Sequence, residues 1–68
     1  MNPTPLQARR DRLAMTQRDL SKKSQVSIRT IYSIESGDVQ PRQKTRKKLL
    51  RALGLPMTLH EEVFGPLP

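Results

Sequence analysis

The sequence predicts an all-α fold, a compact bundle of five short helices. Proline and glycine stand at the borders of the apolar clusters, where helices start and stop. Apolar residues recur at helical steps, as in Ile28, Ile31, Tyr32 and Ile34. Alternation with a period of two, the mark of a half-buried strand, is absent.

The elements follow in order. Thr4 is a helix cap, Pro5 suits the first helical position, and Gln7 completes a capping box. This first helix runs to about Leu13 or Ala14, with Leu6 and Leu13 on one face. Thr16 opens helix 2, Asp19 is its box partner, and Leu20 is its inward anchor. Ser24, Gln25 and Val26 make a bend, after which Ser27 caps helix 3 and Gly37 ends it. Pro41 opens helix 4, which carries Leu49, Leu50 and Leu53 on a short apolar face and closes at Gly54. Thr58 and Glu61 form the capping box of a last short helix that holds Val63 and Phe64 and stops at Gly65 and Pro66.

The 68 residues make a single domain, 1–68, with its core in 4–64. A chain of this size buries roughly 60% of its unfolded surface, which leaves little room for a deep catalytic cleft. Cysteine is absent and the single histidine, His60, cannot hold a zinc ion alone, so no metal, cofactor or small-molecule ligand is expected. Glu61 and Glu62 are adjacent and so point away from one shared site, and no nucleophile–base pair stands out; an enzyme is not expected. No apolar run approaches the ~20 residues of a membrane span, and the N-terminal stretch lacks the apolar core of a secretory signal. A cytoplasmic location is the resulting expectation.

Charge gives the functional class. Thirteen Lys/Arg against six Asp/Glu leave a net charge of +7. Residues 38–54 alone hold six Lys/Arg and one Asp, whereas 55–68 are net acidic. The basic charge therefore lies in the body of the domain, and a small domain of this kind meets a polyanion.

Two helices joined by a turn of three or four residues form the helix-turn-helix unit. Its second helix enters the major groove, whose ~12 Å width admits an α-helix. Leu20, Val26, Ile31 and Ile34 are apolar where the two helices lock, and Ser21 is small where they approach. With Thr16-Gln17, Val26-Ser27, Glu35, Gly37, Pro41, Thr45, Leu49, Ala52-Leu53-Gly54 and Phe64, these residues resemble the lambda-repressor/Cro-like (XRE) helix-turn-helix family over about residues 6–64. Three positions depart from it. Arg46 stands where the family has an apolar residue, Gln25 where it commonly has Gly, and Ser24 where it commonly has an apolar residue.

The resemblance implies a sequence-specific regulator of transcription that binds double-stranded DNA, a small Cro-like repressor. Helical geometry puts Ile28, Arg29, Tyr32 and Ser33 wholly or partly outside if Ile31 and Ile34 point inward. Arg29 suits the O6 and N7 atoms of guanine, and Ser33 donates or accepts. Ile28 reads either as core or as a contact to a thymine methyl, and Tyr32 as standing over the backbone or packing on a partner subunit. Thr16, Gln17, Ser27, Thr30, Arg42, Lys44 and Thr45 are the expected phosphate contacts, near helix starts. The family also implies an ion pair between Arg10 and Glu35. Because one recognition helix covers few base pairs, a weak or DNA-assisted homodimer is expected through Leu55, Met57, Leu59, Val63 and Phe64. The rival readings are an antitoxin or controller subunit with a cognate protein partner, and a protein-interaction adaptor on the same fold.

Overall fold

The structure, a computed structural model, describes residues 4–68. Residues 1–3, part of the expected 1–68 domain and of the stretch read for a signal sequence, lie outside the described residues. The first three helices each begin where the sequence supplies a hydroxyl to hold one of their free N–H groups. Thr4 Oγ1 accepts from the Gln7 N–H at 3.3 Å, opening α1 (Pro5–Arg12). Only this half of the expected Thr4–Gln7 box forms. Thr16 Oγ1 accepts from the Asp19 N–H and Asp19 Oδ2 from the Thr16 N–H, both at 3.0 Å, a reciprocal box that opens α2 (Gln17–Ser24). Ser27 Oγ accepts from the Thr30 N–H at 3.2 Å, opening α3 (Ile28–Glu35).

Two later starts differ from expectation. Pro41 precedes α4 (Gln43–Leu53) instead of opening it: Arg42 is the cap residue, in extended conformation, and Pro41 is buried. The expected Thr58–Glu61 box does not form. Pro56 accepts from the Leu59 N–H at 3.1 Å and starts a single 3-10 turn, Met57–Leu59, so Thr58 already lies inside a turn when α5 (His60–Phe64) begins. Leu13 also departs from the shared face with Leu6. α1 ends at Arg12, and Leu13 is 50% exposed at its C-cap while Leu6 is buried.

The five helices enclose one core of Leu6, Leu20, Val26, Ile31, Ile34, Leu49, Leu50, Ala52, Leu53, Val63 and Phe64. α2 packs on α3 and α4, and α1 on α3 and α5. Among the described residues there is no strand, and no helix is long and apolar enough to cross a membrane. The Cα radius of gyration, 10.5 Å, is that of a closely packed chain of this length.

Val63 and Phe64, expected on a dimer surface, are instead 4% and 8% exposed. α5 lies across α1 and α4, and these two side chains are what it contributes to the core. Leu55, Met57 and Leu59 are partly buried against the same core.

Arg46 is the second departure, and the larger one. It is fully buried on the inner face of α4, between Pro41 and the C-terminal segment. Its Nε donates to the Pro41 carbonyl at 2.7 Å and its Nη2 to the Pro66 carbonyl at 3.0 Å. Nη1 donates to the Gly65 carbonyl and lies 3.0 Å from His60 Nδ1, which accepts. The guanidinium also sits 5.6 Å from the Phe64 ring centroid. Burial pushes its pKa below the ordinary arginine value. Arginine nevertheless stays charged at physiological pH. The cation is held by the carbonyl oxygens of Pro41, just before α4, and of Gly65 and Pro66, just past α5. Gly65, at φ 84 and ψ −179, adopts a conformation open essentially to glycine alone and turns its carbonyl to this site.

Candidate nucleic-acid interface

The turn between α2 and α3 decides how α3 is presented, and its chemistry is carried by two serines. Ser21 Oγ donates to the Val26 carbonyl at 2.7 Å. Ser24 Oγ, buried, accepts from the Val26 N–H at 3.2 Å. Ser24 thus replaces an apolar contact with a hydrogen bond that holds the chain as it leaves α2. Gln25 takes the left-handed conformation at φ 62 and ψ 26 that glycine would adopt cheaply. Val26 is then buried, and α3 leaves the turn with Ile31 and Ile34 in the core.

The opposite face of α3 is open. Arg29 is exposed, Ile28 is 42% exposed and Tyr32 64% exposed, and Ser33 is half-buried one turn on. Ile28 is therefore not a core residue. The first turn of α3 carries Ser27 and Thr30, whose hydroxyls lie 2.8 Å apart. The Ser33 carbonyl accepts from the Asp38 N–H at 2.9 Å, which folds the following loop back on the helix end.

A buried polar chain fixes the rear of this unit. Arg10 donates from Nε to Glu35 Oε2 at 2.8 Å and from Nη2 to Glu35 Oε1 at 3.0 Å, a bidentate pair joining α1 to the end of α3. Its Nη1 donates to the Met15 carbonyl at 2.7 Å. The hydrogen bonds to Glu35 hold the Arg10 guanidinium above its ordinary pKa. Gln17 Nε2 donates to Glu35 Oε1 at 3.1 Å, so the first side chain of α2 is tied to the last of α3. An amide has two donor hydrogens and an acceptor oxygen, so the second N–H and the oxygen of Gln17 stay available. Gln17, Tyr32 and Ser36 line a shallow hollow of about 350 Å³ above the ion pair.

Arg42 and Lys44 are exposed at the start of α4 and Thr45 is half-buried. No side chain caps that helix, which leaves its first N–H groups open. Arg46, three residues on, does not share their exposed surface. A charged residue type gives no sign of burial, yet the spacing of 46, 49, 50 and 53 places Arg46 on the apolar face.

Among the described residues no cluster of His, Cys, Asp or Glu could hold a metal ion. Glu35, at the end of α3, is engaged by Arg10, and Asp19, in the first turn of α2, by Thr16. The arrangement is a braced helix with an exposed leading turn on a basic surface, suited to a groove lined by phosphates.

Comparison with known families agrees. A family model described as Helix-turn-helix matches residues 6–59. No curated protein matches the chain significantly, and no solved structure does. The match spans α1 to the 3-10 turn before α5 and includes the whole braced unit, and the chain belongs to the helix-turn-helix family of XRE, lambda-repressor-like DNA-binding transcriptional regulators.

Proposed function

We propose that the chain is a small Cro-like repressor that reads operator half-sites in double-stranded DNA by laying α3 in the major groove. The observation that carries this reading is the exposed leading turn of α3, Ile28 and Arg29, on a helix anchored behind by Ile31, Ile34 and the Arg10–Glu35 pair. Arg29 contacts guanine O6 and N7, Ile28 a thymine methyl, and Ser33 and Tyr32 a base or backbone one turn further. Gln17, held by Glu35, presents its remaining N–H to a phosphate. Thr16, Ser27, Thr30, Arg42, Lys44 and Thr45 contact the backbone on either side.

Two copies meet on one operator as a weak, DNA-assisted homodimer. Leu55, Met57 and Leu59 supply the contact, since Val63 and Phe64 are spent on the core. Such a regulator acts on the nucleoid, in the cytoplasm of a bacterial, phage-infected or plasmid-bearing cell.

Selection of bound duplexes from a random pool tests the reading. The expected product is a palindrome whose half-sites lie about one helical turn, 10–10.5 bp, apart. Arg29→Ala should relax one position of each half-site by ~1–3 kcal/mol. A pool that shows no enrichment, or uniform binding that vanishes as salt is raised, would overturn it.

A further inference from the structure

A hollow of about 220 Å³ lies between the second half of α4 and the chain that follows it, lined by Lys47, Leu50, Arg51, Leu55 and Met57. Leu50 is buried, and Leu55 and Met57 pack partly against the core, so the apolar part of the hollow is continuous with the core. Lys47 and Arg51 are both exposed. They stand four residues apart on α4, where side chains are neighbours and like charges repel. Neither has a carboxylate partner: among the described residues the ion pairs are Arg9–Glu62, Arg10–Asp11 and Arg10–Glu35. The acids of α5, Glu61 and Glu62, line a different hollow with Thr4, Pro5 and Val39. Both charged members of the α4 hollow are therefore cations.

Leu55 and Met57 belong to the contact between copies proposed above. A two-fold contact sets one patch against itself. A second copy over this hollow thus brings two Lys47 and two Arg51 side chains into one small region, with no acid among them. The apolar attraction available is modest. A stable interface takes ~20–30 residues a side, whereas here the partly buried Leu55, Met57 and Leu59 supply it. Juxtaposed like charges suffice to oppose so small a contact.

We infer that Lys47 and Arg51 are an electrostatic gate on pairing: they hold free copies apart, and two copies close over the hollow only when they sit side by side on one duplex. The inference rests on the homodimer reading above. DNA changes the balance in two ways. Each bound copy raises the effective concentration of its neighbour, and the negative field of the duplex offsets the repulsion among the four cations. The gate gives two equilibria opposite responses to salt. DNA binding weakens as salt rises, while pairing of free copies strengthens as their repulsion is screened.

Sedimentation equilibrium of the DNA-free chain tests this between about 0.1 M and about 1 M NaCl, where the Debye length falls from ~10 to ~3 Å. Wild type is compared with Lys47→Gln/Arg51→Gln and with Lys47→Glu. Glutamine and glutamate keep helix propensity, Lys47→Glu adds a favourable spacing to Arg51, and far-UV circular dichroism checks the fold. Wild type should associate several-fold more tightly at the higher salt. Both variants should associate about tenfold more tightly than wild type at the lower salt, because the facing cations are removed or balanced, and should respond little to salt. Variants that associate no more than wild type would overturn the inference and leave the hollow to an acidic partner protein or to solvent. So would wild-type pairing that stays constant or weakens as salt is raised. Titration of the selected operator runs alongside: a palindrome that takes two wild-type copies with no coupling between them would instead sink the homodimer reading itself.

Discussion

Replacing Glu35 by Gln removes one charge from a pair whose members are each 8% exposed. Arg10 would keep its bond to the Met15 carbonyl and a distant contact, 3.4 Å, to Asp11. The new amide could accept one hydrogen bond, but its NH2 would face the other guanidinium nitrogen or the Gln17 NH2. Leaving one member of a buried pair uncompensated costs ~3–5 kcal/mol. The surviving contacts favour the lower end, about 3 kcal/mol. A domain of this length has only ~3–10 kcal/mol of stability in all. The melting temperature should fall by about 12–24 °C, at ~4–8 °C per kcal/mol for so small a domain. Thermal denaturation followed by circular dichroism measures this directly. Changing Arg10 and Glu35 together to Met should recover much of the loss, because no buried charge then remains. A Glu35→Gln protein that melts within about 2 °C of wild type yet no longer binds DNA would refute the bracing role. It would make Glu35 a group that meets the ligand instead.

Arg46→Met should cost about 2–3 kcal/mol, since carbonyls of Pro41, Gly65 and Pro66 lose their donor and only the chain end can turn them to water. Protease sensitivity after Phe64 should rise with it, and Arg46→Lys should not rescue, because a point ammonium cannot span three segments as the planar fork does; a fully stable Lys variant would contradict this. The Thr16 N–H, and its hydroxyl second, hold the Asp19 carboxyl below its usual range. A depressed folded pKa contributes stability that is complete above the unfolded value, ~3.9, and is lost as pH falls through the folded one. Melting curves of wild type and Asp19→Asn should therefore converge in acid below about pH 4 and separate above it; parallel curves would count against the box. Gln25→Gly should stabilise by about 0.5–1 kcal/mol, the relief of a left-handed residue less the added unfolded entropy, read as a raised urea midpoint. Destabilisation would mean that the Gln25 side chain holds the turn.

The caps show how much local chemistry alone decides. Thr4, Thr16 and Ser27 each start a helix because a hydroxyl meets an N–H within three residues, an interaction that needs no distant partner. Thr58 has the same pattern, yet Pro56 starts a turn first, and neighbouring geometry overrides the motif. The inward anchors Leu20, Ile31 and Ile34 follow from periodicity, and so does the outward placing of Arg29.

The sequence by itself determined the helical class, the helix-turn-helix spacing and the basic surface, because all three depend on residues within about one helical turn of each other or on a simple sum of charge. Only the tertiary structure decided where Arg46, Gln17 and Val63 spend their side chains. Each is settled by partners far along the chain: carbonyls at 65 and 66, a carboxylate at 35, and the core beneath α5. A guanidinium on an apolar stripe reads locally as a misfit. It becomes a tether only when folding brings carbonyls with no other donor within reach of its five N–H groups.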